Sequence, residues 1–194
     1  MPAIKGIYLA TRILERELSD PAFFPVYERI EDLGLPVFLH PVEVIEMERL
    51  KPFFLGNLLG NPFDTAVAAA HLIFGGVLDR FPKLEFCLPH AGGAFPFLVG
   101  RLNHGWAVRA ECKHLEHGPE TYLKRFYYDT ISHSGEALGY LIDQVGAERV
   151  MLGSDYCFDM GYERPVEVVS GHPALSAKDK ALILEGNARR LLGL

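Results

Sequence analysis

FPKLEFCLPHAGG, residues 81–93, is the stretch on which the reading of this chain turns. Leu84–Leu88 is a short, almost continuously apolar run, bounded by Pro82 before it and by a Gly pair after it. Such a run is too short for a helix and too apolar for a half-solvated strand, so it predicts a strand buried on both faces, as in a parallel sheet. It ends just before His90, and Gly92–Gly93 break the chain before a helical pattern predicted over Phe95–Lys113.

The same alternation extends in both directions. Strands are predicted at Ile4–Leu9, at Pro36–Leu39 ending on His40, at Phe126–Ile131, and at Arg149–Leu152 running into Gly153-Ser154-Asp155. Helices are predicted at Pro21–Leu33, capped by Asp20 and closed by Gly34, at Thr65–Arg80 behind Asp64, and at Glu136–Val145. Two short helices follow at Ala177–Leu184 and Asn187–Leu192, and Pro41–Asn61 reads as a loop with a helical piece. Short apolar strands alternating with amphipathic helices predict an α/β fold with parallel strands. Neither a repeat nor a linker divides the chain, so 1–194 is read as one domain. Five β/α units suit either part of a (β/α)8 barrel, which needs about 250 residues when complete, or a small doubly wound sheet. The count alone does not choose.

Composition narrows the partners. Of 194 residues 49% are hydrophobic and 23% charged, enough for a substantial core, and the formal charge is −6. No Lys/Arg cluster marks a nucleic acid or an anionic membrane as partner. The three cysteines, Cys87, Cys112 and Cys157, show no CxxC spacing and predict neither a disulfide framework nor a thiolate zinc site. Cys87 is read as a small buried hydrophobe. The N-terminal stretch MPAIKGIYLATRILERELSD lacks the order of a signal peptide, and no apolar run approaches the roughly 20 residues of a membrane span, so a cytoplasmic location is expected.

Three predicted strands end in a residue able to bind a metal or move a proton: His40 in VFLHP, His90 in LEFCLPH and Asp155 in RVMLGSD. Carboxyl ends of parallel strands are where ligands gather. Imidazole and carboxylate are ordinary ligands of zinc and similar ions. Such an ion lowers the pKa of bound water toward about 7, and a nearby His, at about 6.5 when unperturbed, can act as acid or base. Neither a GxSxG elbow nor a GxxxxGK[ST] loop is present, which argues against a serine hydrolase or a P-loop enzyme.

At these residues the chain resembles a known family. FPKLEFCLPHAGGAFPFLVGRLNHGW (Phe81–Trp106), VFLHP (Val37–Pro41) and VMLGSDYCFDMG (Val150–Gly161) are similar, in order and spacing, to the amidohydrolase-related family that includes aminocarboxymuconate-semialdehyde decarboxylase and γ-resorcylate decarboxylase. The resemblance implies a partial TIM-type barrel of about five of the eight β/α units, corresponding to the C-terminal part of the family's domain. It implies His40 and Asp155 as metal ligands, His90 and Asp155 as catalytic residues with His90 the acid/base, and Arg101 as a holder of substrate carboxylate that reaches into a neighbouring subunit's site. The implied cofactor is a divalent metal, zinc first and manganese as the alternative. The implied substrate is a small carboxylate, aromatic or muconate-like, decarboxylated or, in the nearest alternative, hydrolysed. Asp129 and His133 of DTISH are candidates to line the site, Asp129 equally as a backbone acceptor. His71, mid-helix, is read as structural or at a subunit contact; His104, His114, His117 and His172 receive no role. Trp106 and the Phe95/Phe97 pair are expected to pack their helix.

The chain departs from the family at one point: the family's first strand carries an HxH pair of further ligands, and no HxH occurs here. The match begins near the fourth barrel strand, so the first three β/α units are expected to be absent. A fragment, a shortened reading frame and a short natural paralogue all fit. A catalytically silent half-barrel acting as a binding subunit is the competing reading. Because an open barrel leaves unpaired strand edges, either a homo-oligomer that covers them, in its simplest form a dimer, or an open sheet rearranged from the parent barrel is expected.

Overall fold

A computed structural model describes residues 4–194, so the first three residues of the expected 1–194 domain, within the N-terminal stretch, lie outside the described residues. Among the described residues seven strands form: β1 (Ile7–Ala10), β2 (Arg12–Ile13), β3 (Arg16–Glu17), β4 (Val37–His40), β5 (Phe86–Leu88), β6 (Phe126–Asp129) and β7 (Val150–Met151). Short β2 and β3 pair antiparallel as a hairpin, and the other five make one parallel sheet in the order β1-β4-β5-β6-β7.

That order settles the question the strand count leaves open. Each strand of the sheet adds beyond its predecessor, always on the same side, with no reversal. Right-handed crossovers then put every connecting helix on one face, as in a (β/α) barrel; a doubly wound sheet requires a switch point. The helices are α1 (Phe24–Leu33), α2 (Met47–Leu50), α3 (Asn61–Phe74), α4 (Val77–Arg80), α5 (Phe95–Val108), α6 (Gly135–Val145), α7 (Pro165–Ser170), α8 (Ala177–Ala181) and α9 (Asn187–Leu192).

Alternation along the strands separates two faces. Val37, Phe86, Leu88, Phe126, Tyr128 and Val150 are fully buried and join one core with Ile30 of α1, Leu72 and Ile73 of α3, Val99 of α5 and Leu138 and Leu141 of α6. Each such side chain contributes about 1.5–3 kcal/mol by leaving water. The other face carries Phe38, Cys87 and Tyr127, in register across β4 to β6, with Met151 of β7 opposite Asp129, and is covered by Ala188 and Leu191 of α9. Cys87 is buried there as expected, and burial pushes its thiol pKa well up. Tyr8 of the edge strand β1 shares this face and is 63% exposed.

Several sequence expectations are corrected in detail. The helix expected over Thr65–Arg80 is two, α3 and α4, because Gly75 and Gly76 close the first, Gly76 at φ +70°. Asp64 is no N-cap: Pro62 starts α3 earlier, and Asp64 lies in its first turn, buried, accepting the hydroxyl of Thr11. The helix from Phe95 ends at Val108 and a separate turn covers Ala110–Cys112. Phe95 is buried but Phe97 is 81% exposed; two positions apart on a helix, they point to opposite sides. Trp106 packs as expected, its Nε1 donating to the Leu115 carbonyl at 3.1 Å. Asp20 does cap its turn, accepting from the Ala22 amide at 2.9 Å. Among the described residues, no helix is long and apolar enough to cross a membrane.

Candidate active site

The carboxyl ends of β4, β5, β6 and β7 converge, and His40, His90, Asp129 and Asp155 stand at those ends in turn. His40 is the last residue of β4. Its Nδ1 lies 2.9 Å from the Pro41 carbonyl oxygen. A carbonyl only accepts, so Nδ1 carries the proton and Nε2 keeps a free lone pair. That Nε2 lies 3.9 Å from Asp155 Oδ1, too far for a hydrogen bond but close to twice a metal–ligand distance of about 2.0–2.2 Å. Fixing a His tautomer through its other nitrogen is the usual support for a metal ligand. Tyr8 and Phe158 flank the ring, at 6.2 and 6.1 Å between centroids.

His90 follows β5 in a turn, with its ring 5.2 Å from that of His40. One donor atom each from His40, His90 and Asp155 lie within 4.8 Å of one another. The Nδ1 of His90 is buried without a hydrogen-bond partner among the described residues. Burial first, then the neighbouring His40 and, less strongly, His133, hold the His90 imidazole down at about 4, against the pull of Asp155, so it is neutral at pH 7. An imidazole nitrogen pre-fixed by its tautomer and a carboxylate, with the buried His90 imidazole beside them, suit a divalent cation such as zinc.

Backbone strain gathers at this site. His90, Ala91, His133 and Asp155 have φ between +53° and +55° without being glycine, a conformation that costs about 1–3 kcal/mol and persists where the surroundings enforce it. Asp129 supplies that enforcement for His90. Its carboxylate accepts from the amides of His90 (3.0 Å), Ala91 (2.7 Å) and Ile131 (2.9 Å). Of the two roles open to Asp129, the backbone acceptor is the one found. Burial outweighs these bonds and, with help from Asp155, raises its pKa to about 6. Gly93 completes the turn: at φ +58° and ψ −131° it lies so close to α3 that a Cβ there would fall 2.2 Å from the Pro62 carbonyl oxygen.

Two cavities open on the site. One, of about 510 Å³, is lined by His90, Asp155, Ile131, His133 and Phe97 among others. The other, of about 570 Å³, is lined by His40, Tyr8, Phe158, Lys51 and again Asp155. His133 therefore lines the site, its ring 4.9 Å from that of Tyr162 and its amide donating to the Tyr162 hydroxyl at 2.7 Å. Arg101 does not: it is exposed on α5 and lines neither cavity. His71 lies outside the site, its Nδ1 3.2 Å from Ser19 Oγ and its Nε2 3.7 Å from Glu17. His172, given no role, is buried with Nε2 donating to the Gly135 carbonyl at 2.9 Å. Sequence reasoning passed over Asn57 and Asn61, which line both cavities; their position in a stretch read as loop hid them.

Comparison with known proteins identifies the family. The amidohydrolase family model matches residues 2–194. The chain is 36% identical to 2-amino-3-carboxymuconate-6-semialdehyde decarboxylase of Dictyostelium discoideum, over 98% of this chain and 54% of that protein. It is 30% identical to the Caenorhabditis elegans enzyme of the same name, over 98% and 56%. Among solved structures, 5-carboxyvanillate decarboxylase of Sphingomonas paucimobilis superposes with a TM-score of 0.89 at 28% identity, covering 98% of this chain and 59% of that one. The chain thus spans a little over half the length of these relatives. It belongs to the amidohydrolase family.

Proposed function

We propose that this member of the amidohydrolase family carries the metal-binding and proton-transfer residues of a decarboxylase for a small carboxylated substrate, aromatic or muconate-like. The observation that carries the reading is the meeting of His40, His90 and Asp155 donors within 4.8 Å at the carboxyl ends of neighbouring parallel strands. The three relatives named above, all decarboxylases of carboxylated compounds, support the reaction class.

In this reading His40, through Nε2, and Asp155 hold a divalent ion, zinc first and manganese as the alternative. When bound, the ion supplies a Lewis acid that polarises a substrate oxygen. His90 moves the proton. Neutral at pH 7, it first accepts one from substrate or water, then delivers it to the carbon whose carboxylate leaves as CO2; that carbon uses the electron pair of the broken C–C bond to form the new C–H bond. Asp155 also acts through its charge, favouring the protonated state of His90. Asp129 and Gly93 hold His90 in place, and His133 lines the same cavity. Arg101, outside both cavities, can meet a substrate carboxylate only at a site on another copy of the chain, so its role goes with the homo-oligomer. Three free cysteines fit a reducing, cytoplasmic setting.

The test is CO2 release by metal-loaded protein from 5-carboxyvanillate and from 2-amino-3-carboxymuconate-6-semialdehyde. Release that disappears in His90→Gln while the bound metal remains supports the reading. A folded, metal-loaded chain that releases none contradicts it and favours the silent binding subunit.

A further inference from the structure

The hydrogen-bond ladder of the sheet stops short of the two histidines of the site. Among the described residues β4 and β5 pair at Val37 with Phe86 and at Phe38 with Cys87, and no further. His40 and His90 both lie beyond the last of these pairs, so the ladder alone does not set the spacing of their rings, 5.2 Å between centroids. A second connection runs beside it. The Thr11 amide donates to the His40 carbonyl at 3.2 Å, carrying the β1–β4 pairing past its last residues. The Thr11 hydroxyl donates to the Asp64 carboxylate in the first turn of α3. In that same turn the Pro62 carbonyl accepts the Ala94 amide at 3.0 Å, and Ala94 follows directly on the turn that presents His90. The route from His40 to His90 through α3 is thus closed by hydrogen bonds at each step.

Its middle bond is made at a cost. Thr11 is 1% and Asp64 4% exposed. Arg12, whose charge acts on the Asp64 carboxylate, is paired with Glu17 at 3.6 Å. A buried carboxylate answered by a hydroxyl gives up hydration that the bond replaces only in part, whereas two apolar side chains of similar size would hold α3 against β1 without that loss. What an apolar pair lacks is direction. Packed methyl groups tolerate sliding, while a hydrogen bond fixes donor, acceptor and angle, the more so in a dry interior. The direction fixed here is that of the strand end on which His40 stands.

We infer that Thr11 and Asp64 are positioning residues that set the separation of His40 and His90, by joining the strand end that carries His40 to the helix start that carries the His90 turn; this rests on the metal-site reading proposed above. Neither residue lines either cavity, so both act through the two histidines rather than on a ligand.

Calorimetric zinc titration of the full chain, with 1H–15N spectra of its imidazoles in chelator, tests this. Thr11→Val keeps the side-chain shape and removes the hydroxyl. It is expected to weaken zinc binding about tenfold, as loss of a residue that orients a ligand does, and to shift the metal-free ring signals of His40 and His90, assigned by their loss in His40→Ala and His90→Gln. Thr11→Ser, which keeps the hydroxyl, is expected to return both readouts toward wild type. Tyr122→Phe removes a second hydroxyl–carboxylate bond, to Asp79 at 2.8 Å and outside both cavities; it is expected to lower stability and leave zinc affinity and both rings as they are. Asp64→Ala repeats the comparison if Thr11→Val fails to fold. The inference is overturned if zinc affinity or the ring signals stay at their wild-type values without the Thr11 hydroxyl, or if Tyr122→Phe weakens zinc equally, which would make the effect one of general stability. A wild-type chain that binds no zinc removes the metal-site reading; the metal-free ring signals then decide the tie alone, and rings unmoved by Thr11→Val overturn it.

Discussion

Replacing His90 by Gln in the metal-free chain is expected to change how folding stability depends on pH, and replacing Asp129 by Asn is expected to change it in the opposite sense. In the folded chain Asp129 keeps its proton up to about 6, against an ordinary 3.8. Between those values the folded chain carries more protons than the unfolded one, so this group adds stability below about 3.8 that is lost as pH rises toward 6. His90 behaves inversely. It loses its proton near 4 in the folded chain against an ordinary 6.5, so the unfolded chain carries more protons between those values and stability rises with pH. At about 1.36 kcal/mol per pH unit each effect amounts to ~3 kcal/mol, and partial solvent exposure of both side chains trims it to about 2 kcal/mol. In the wild type the two nearly cancel. Denaturant unfolding from pH 4 to 7, in chelator and expressed relative to wild type, reads them separately. The His90→Gln curve is expected to fall by about 2 kcal/mol as pH rises, and the Asp129→Asn curve to rise by a similar amount, above a constant loss from the broken amide bonds. Parallel curves for the two variants and wild type would refute the reasoning, because they would mean that neither group titrates in the folded chain as its surroundings require.

Gly93→Ala places a methyl 2.2 Å from the Pro62 carbonyl oxygen at a backbone conformation only glycine adopts easily. A loss of about 3 kcal/mol is expected, seen as a melting temperature lower by roughly 6–12 °C for a chain of this size; a change within 2 °C would show that the turn is not held against α3. Asn187, fully buried, donates from Nδ2 to the carbonyls of Ala147 and Val150, both at 2.7 Å, fastening α9 to the start of β7. Asn187→Ala is expected to cost about 2–4 kcal/mol by stranding two acceptors, with amide exchange in β7 rising more than in β4; uniform exchange across the sheet would contradict that local role.

Much of the fold was legible because its signals are local. The five strands of the sheet announce themselves as apolar runs, and residues such as Gly34, at φ +61°, mark a helix end by chain chemistry alone. Strand order is different. No residue in β5 says that β4 and β6 are its neighbours, so the choice between barrel and doubly wound sheet waited on the observed sequence of pairings. The β2–β3 hairpin has two residues a side, too few for period-two alternation to register. The site divides the same way. His40, His90 and Asp155 stand out because strand ends position them. Asp129 could be located but not given its role, since accepting three amides is a property of the turn it meets. Asn57 and Asn61 enter the site only through a π turn at Gly56–Gly60 and two cavities that no periodicity forecasts.

His40 and Asp155 are proposed to hold a divalent metal with His90 beside it. Calorimetric titration of zinc into chelator-stripped protein tests it most directly. One equivalent is expected to bind, with binding lost or weakened at least tenfold in His40→Ala and in Asp155→Ala and kept in Arg101→Ala, whose side chain lies outside the site. Absence of stoichiometric binding, or binding that survives both His40→Ala and Asp155→Ala, would contradict the account.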